Sequence, residues 1–149
     1  MIKITSIRKS ITILLKKVED VDVFFTNVSK TDFNDEQSIT KYFHVSLIPI
    51  STSLFGKLTR DRAFFIDIAY INDNADTNLF YEWYEKMNEV FLPYIQIEDR
   101  SITIETLSMK IVSEVGHCTF TLKFNDVIDY QPEGELAQDL HITINEEEK

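Results

Sequence analysis

The chain has 149 residues, 25 of them acidic and 15 Lys or Arg, for a formal net charge of −10 with 44% apolar and 27% charged residues. That is the length and composition of one globular domain. So acidic a chain is excluded from gripping nucleic acid over a broad surface and from adhering to an anionic membrane, because both need clustered Lys and Arg.

Three glycines and three prolines put most of the length into regular elements and leave too few glycines for a phosphate-cradling loop. Cys118, the one cysteine, can form neither an internal disulfide nor a Cys-type zinc site. The N-terminus opens directly into a periodic segment with no leader-like apolar run. No apolar stretch approaches the roughly 18 residues of a membrane span. The expectation is a soluble domain of a reducing compartment.

In chain order, Ile4, Ile7, Ile11, Leu14, Leu15 and Val18 trace one helical face. They predict a helix over residues 6–18, with Thr5 or Ser6 as cap and Lys16 and Lys17 at the negative end of its dipole. Residues 21–25 are β-branched and aromatic and read as a short strand. Residues 28–40 are polar without a period and read as a surface excursion. A strand follows over 41–50, with Phe43, Val45 and Leu47 on one side, and Pro49 marks its end or an edge.

Residues 51–60 read as a linker too long for a tight hairpin, yet they carry Leu54, Phe55 and Leu58. Either these fold back on the domain or they meet a partner. Residues 62–71 are apolar on both faces, which predicts a central strand covered twice, once by helices and once by another surface such as a neighbouring subunit.

The cluster 72–76 is a turn and cap. A second helix follows over 75–91, its face formed by Leu79, Phe80, Trp83, Tyr84, Met87, Val90 and Phe91, and Pro93 ends it. Residues 94–97 form a strand, 98–101 a turn, Ile102 and Ile104 continue in alternation, and Leu107, Met109 and Ile111 alternate after them. Residues 114–117 turn the chain, and 118–126 alternate with Phe120, Leu122 and Phe124 inward. The domain is expected over 1–130. Residues 131–149 are an acidic linker and strand-like arm, with Leu140, Ile142 and Ile144 on one side of it. The arm either adds a strand to an exposed edge, its own chain's or a neighbour's, or is the last strand of the domain's sheet. The expected fold is α+β: one mostly antiparallel or mixed sheet with two helices packed on one face, plus the arm.

Charge is uneven along the chain. Residues 1–30 hold six basic against three acidic residues, a net of +3, and residues 131–149 a net of −5. This is either a solvated first helix with a solubilising tail or a pair of ends that attract within or between subunits.

Motifs for chemistry are absent from the sequence. His44, His117 and His141 have no second ligand at metal spacing. His117 and Cys118 are strand neighbours, which point to opposite faces. Counting from Asn72, an EF-hand would need Gly and Glu where Thr77 and Trp83 stand. No catalytic residue, cofactor or metal is expected, and the chain is not read as an enzyme.

Two segments carry a resemblance: Tyr42-Phe43-His44-Val45-Ser46-Leu47-Ile48-Pro49-Ile50-Ser51-Thr52 and Arg62-Ala63-Phe64-Phe65-Ile66-Asp67-Ile68-Ala69-Tyr70. They are similar to the two signature strands of the small tail terminators of phages and prophages of Gram-positive bacteria. The stretch from Leu92 to Ile104 resembles that family's strand–turn–strand, residues 120–124 its last main strand, and residues 140–144 its C-terminal end.

The resemblance implies a non-catalytic virion protein that forms a ring, usually a homo-hexamer, on the last ring of the tail tube. It also implies a docking surface for the head–tail connector or neck protein and, in contractile particles, contact with the sheath. The implied location is the virion tail and neck, after assembly in the bacterial cytoplasm. DNA would pass through the ring without sequence-specific binding, past a wall whose acids repel it; Asp32, Asp35 and Glu36 of the excursion are candidates for that lumen. Leu54, Phe55, Leu58, Leu140, Ile142 and Ile144 are candidates for the subunit or tube interface. Two alternatives remain at this point: another neck or head–tail joining protein, and, from a different class, a small acidic adaptor like the secretion chaperones.

Overall fold

A computed structural model describes residues 1–26 and 40–128. The excursion with Asp32, Asp35 and Glu36 and the arm with Leu140, Ile142, Ile144 and His141 lie outside the described residues.

The element order is α1 (Ile4–Val18), β1 (Val23–Phe24), β2 (Lys41–Leu54), β3 (Thr59–Asn72), α2 (Thr77–Phe91), β4 (Tyr94–Ile97), β5 (Arg100–Thr103), β6 (Ser108–Val112) and β7 (Val115–Val127). Five strands form one sheet in the order β1-β2-β3-β7-β6, and β4 and β5 form a separate hairpin. Pairing is antiparallel except for β1 beside β2. This is the expected α+β class, with the apolar strand β3 in the middle.

Parity along the strands selects the covered face. Phe43 and Val45 on β2, Phe64, Ile66, Ile68 and Tyr70 on β3, and Cys118, Phe120, Leu122 and Phe124 on β7 are all buried. Register brings them together: Phe43 stands opposite Tyr70, Ile68 opposite Cys118 and Ile66 opposite Phe120. Against them α1 lays Ile7, Ile11, Leu15 and Val18, and α2 lays Phe80, Trp83, Met87 and Phe91. Asp76 caps α2, accepting from the Leu79 amide at 2.9 Å, and Asn72 accepts from the Asn74 amide. Helix capping and turn formation therefore account for the 72–76 cluster.

Several local expectations are corrected. Helix α1 begins at Ile4, and Lys3, not Thr5 or Ser6, holds the cap position without a side-chain bond. Its first amides bond the Lys3 carbonyl, and the Ser6 hydroxyl donates to Glu98 on the β4–β5 turn. Ile4 is exposed, while Ile2, just outside the helix, is buried. Gly116 and His117 belong to β7 and not to a turn; the turn is Ser113-Glu114, both with positive φ. Gly116 is needed for close approach: a Cβ there would come within 2.6 Å of the Phe80 ring and 3.0 Å of Trp83. No helix among the described residues is long and apolar enough to cross a membrane.

Candidate functional site

Residues 51–60 are not a linker. Strands β2 and β3 run on as one long hairpin closed by four residues, 55–58, with the Phe55 amide bonded to the Thr59 carbonyl at 2.7 Å and Gly56 at φ +78°. Pro49 does not end β2. It sits beside a bulge, since Pro49 pairs with Phe64 and Ser51 with Ala63, leaving Ile50 as the extra residue. Proline is tolerated there because β1 reaches only to His44, so among the described residues the outer edge of β2 has no ladder to break at Pro49. The bulge re-phases the strand.

Toward the tip no described residue covers the faces of the hairpin. Residues 48–58 are all exposed. Leu54 is 74% exposed and Phe55 69%, and Ile48, Ile50 and Leu58 are exposed with them. The Leu54, Phe55 and Leu58 side chains therefore do not fold back on the domain within the described residues. Sequence reasoning did not single out Ile48 and Ile50, which are exposed as well; the signal available was the proline with an isoleucine on each side. The tip is braced on its β3 side, as the Ile128 amide donates to the Leu58 carbonyl at 2.7 Å.

The sheet face away from the helices is the second surface. Ile48, Phe65, Asp67, Ile71, His117, Thr119 and Thr121 lie on it, half-buried or exposed. The double cover expected for β3 is thus met on one side only among the described residues. His117 Nδ1 lies 3.0 Å from Asp67 across the strands, so it is engaged away from Cys118. That thiol is fully buried, and burial, helped by the Asp67 charge, pushes its pKa up to about 12. It is a core residue and not a nucleophile.

Two polar clasps tie the ends of the fold down. Asp126 is 1% exposed. It accepts from the Ile2 amide at 3.1 Å, from Arg62 at 2.9 Å and from Arg100 at 3.3 Å, and Arg62 also donates to the Ile2 carbonyl. Burial opposes ionisation of Asp126, but these donors prevail and hold its pKa below the usual carboxylate value. At the other end of α1, Tyr70 donates to Glu19, which also pairs with Lys41. Burial, reinforced by Glu19, raises the Tyr70 pKa to about 12. Both clasps are structural. Among the described residues no group of three or more His, Cys, Asp or Glu side chains is placed to hold a metal ion.

Comparison with known proteins gives three findings. A family model described as "Phage tail terminator protein" matches residues 6–135. No curated protein matches the chain. A solved structure without a functional name is similar at 12% identity over 87% of this chain and 98% of its own, with a TM-score of 0.49; nothing is inferred from it.

Proposed function

Because the chain belongs to the phage tail terminator family, whose members are structural and not enzymatic, we propose that it forms a homo-hexameric ring on the finished tail tube. The ring ends tube growth and presents a surface to the head–tail connector. The family match supports a structural role in the virion tail and contacts with tail and head–tail components. The small acidic adaptor has no support in that match.

The observation that carries the ring reading is the apolar hairpin tip. A closed ring needs a head-to-tail interface made of two different patches on each subunit. Leu54, Phe55 and Leu58, together at the turn of the hairpin, are large apolar side chains that the chain's own described residues leave in water. Exposed apolar clusters of this kind mark interaction sites. The open sheet face offers a second patch of different chemistry, with Phe65 and Ile71 beside Asp67, His117 and Lys123. Tip against face is a heterologous pairing that repeats around a ring.

The net charge of −10 fits a conduit: a basic wall would gain affinity from counterion release and retain DNA in transit. Asp32, Asp35 and Glu36 remain the proposed lumen acids. In a contractile particle the sheath is a further proposed partner.

Imaging of particles assembled without this protein tests the reading. Over-long tubes are expected. Tails of normal length that fail to join heads would instead indicate a neck or head–tail joining protein. Native mass spectrometry giving a stable dimer with no hexamer at high concentration would count against the ring.

A further inference from the structure

The backbone leaves a strand-binding edge on β7. The two-residue turn Ser113-Glu114 has positive φ at both positions, the type I′ geometry in which the flanking pair Val112 and Val115 is hydrogen-bonded. By alternation, the N–H and C=O of Val115, His117 and Thr119 aim at β6 and those of the even residues aim at β3. The Ile128 amide, bonded to the Leu58 carbonyl, has the same phase.

Strand β6 ends at Ser108, opposite Thr119. The next odd residues, Thr121, Lys123, Asn125 and Val127, therefore present four N–H and four C=O groups to a side with no hydrogen-bonded strand among the described residues, although β5 packs close by through Arg100. An open groove of about 620 Å³ runs along that edge, with Ile102, Phe120 and Phe124 among its lining and Arg100 and Lys123 as its cations.

Among the described residues the outer edge of β2 is also unpaired beyond His44, but it carries Pro49 and a bulge, two devices that blunt an edge. The β7 edge carries neither.

We propose that residues 140–144 of the same chain occupy this edge as an added antiparallel strand. Their sequence Leu-His-Ile-Thr-Ile alternates, so that Leu140, Ile142 and Ile144 face the apolar lining while His141 and Thr143 face out. The described chain stops at Ile128, at one end of this very edge. Residues 129–139 can extend to about 36 Å, and the edge from Thr121 to Val127 is about 20 Å long, so the arm reaches all of it.

A return of this length suits an antiparallel neighbour, whereas a parallel one needs a crossover of a dozen or more residues. Tethering at the end of the same strand also places the arm at about millimolar effective concentration, which favours the chain's own arm over a second copy's. Charge is compatible, since Asp139 and Glu146–Glu148 bracket the segment while the groove is lined by Lys123, by Arg100, which also pairs with Asp126, and by one acid, Glu105. The proposal does not depend on the tail reading, because a monomer alone would show it.

Amide hydrogen exchange resolved by residue tests it. In the full chain, at least two of the Thr121, Lys123, Asn125 and Val127 amides should exchange about tenfold or more slowly than in the full-length variant Ile142→Pro and in a chain ending at Asp139. Leu122 and Phe124, bonded to β3, should stay protected in all three and so report an intact domain. Fast exchange of the odd residues in the full chain, or protection unchanged by either alteration, overturns the proposal. So does protection gained by an isotope-labelled chain ending at Asp139 when unlabelled full chain is added, which would assign the edge to a second copy's arm.

Discussion

The two ends of the β2–β3 hairpin are about equally apolar and have opposite fates. At the base, Phe43 and Val45 face Tyr70 and Ile68 under the two helices and are excluded from water; the Phe43 ring lies 5.0 Å from that of Tyr70 and 6.2 Å from that of Trp83. At the tip, Ile48, Ile50, Leu54, Phe55 and Leu58 have no such cover. Burial of a side chain of this size contributes about 1.5–3 kcal/mol. The base gains that on folding, whereas the tip gains none of it from the described residues and, on the ring proposal, would gain it on association. One strand pair therefore serves two equilibria, with the bulge at Ile50 dividing them.

Substitutions should separate the two. Phe43→Ala, at the base, should cost about 3–5 kcal/mol of stability, read as a shift in the denaturant midpoint. Removing the carboxylate that pins the N-terminus to β7 should follow: Asp126→Asn leaves Arg62 facing a neutral partner in a nearly dry site and should cost about 3 kcal/mol.

The pH dependence has a definite sign. The folded-state pKa of Asp126 is depressed, so its stabilisation is present above the ordinary carboxylate value of 3.8 and is lost as pH falls through the lower folded value. The wild type should therefore lose stability below about pH 4 more steeply than Asp126→Asn does, in unfolding curves taken at several pH values. Gly116→Ala forces the Phe80 and Trp83 rings away from β7 and should cost about 1–3 kcal/mol. Smallest in stability, within about 0.5 kcal/mol, should be the double change Leu54→Ser with Phe55→Ser at the tip. A large loss there would show that the tip packs on its own domain and would break the division.

The base was legible in the sequence because burial on one side imposes alternation. Residues 118–126 and the helix face Leu79 to Phe91 carry their period openly. The tip was not legible as a hairpin. Exposed on both sides, Ser51, Thr52 and Ser53 are under no constraint to alternate, and Pro49 pointed to an end where a bulge absorbs it. Asp126 was within reach, since it shares the parity of Phe120, Leu122 and Phe124. Its partners Arg62 and Arg100 come from distant positions that no local pattern links to it. The free edge of β7 depends on where β6 stops, which is a property of pairing and not of composition. Leu54, Phe55 and Leu58, singled out for size in a polar stretch, stand exposed, while the other candidates fall outside the described residues.

The most direct test of the division is the length distribution of tails assembled with the Leu54→Ser, Phe55→Ser double variant, after its unfolding midpoint has been shown to match the wild type. Over-long tubes from a fully folded variant are the expected result. Tails of wild-type length, filled and joined to heads, would contradict the assignment of the tip to ring assembly.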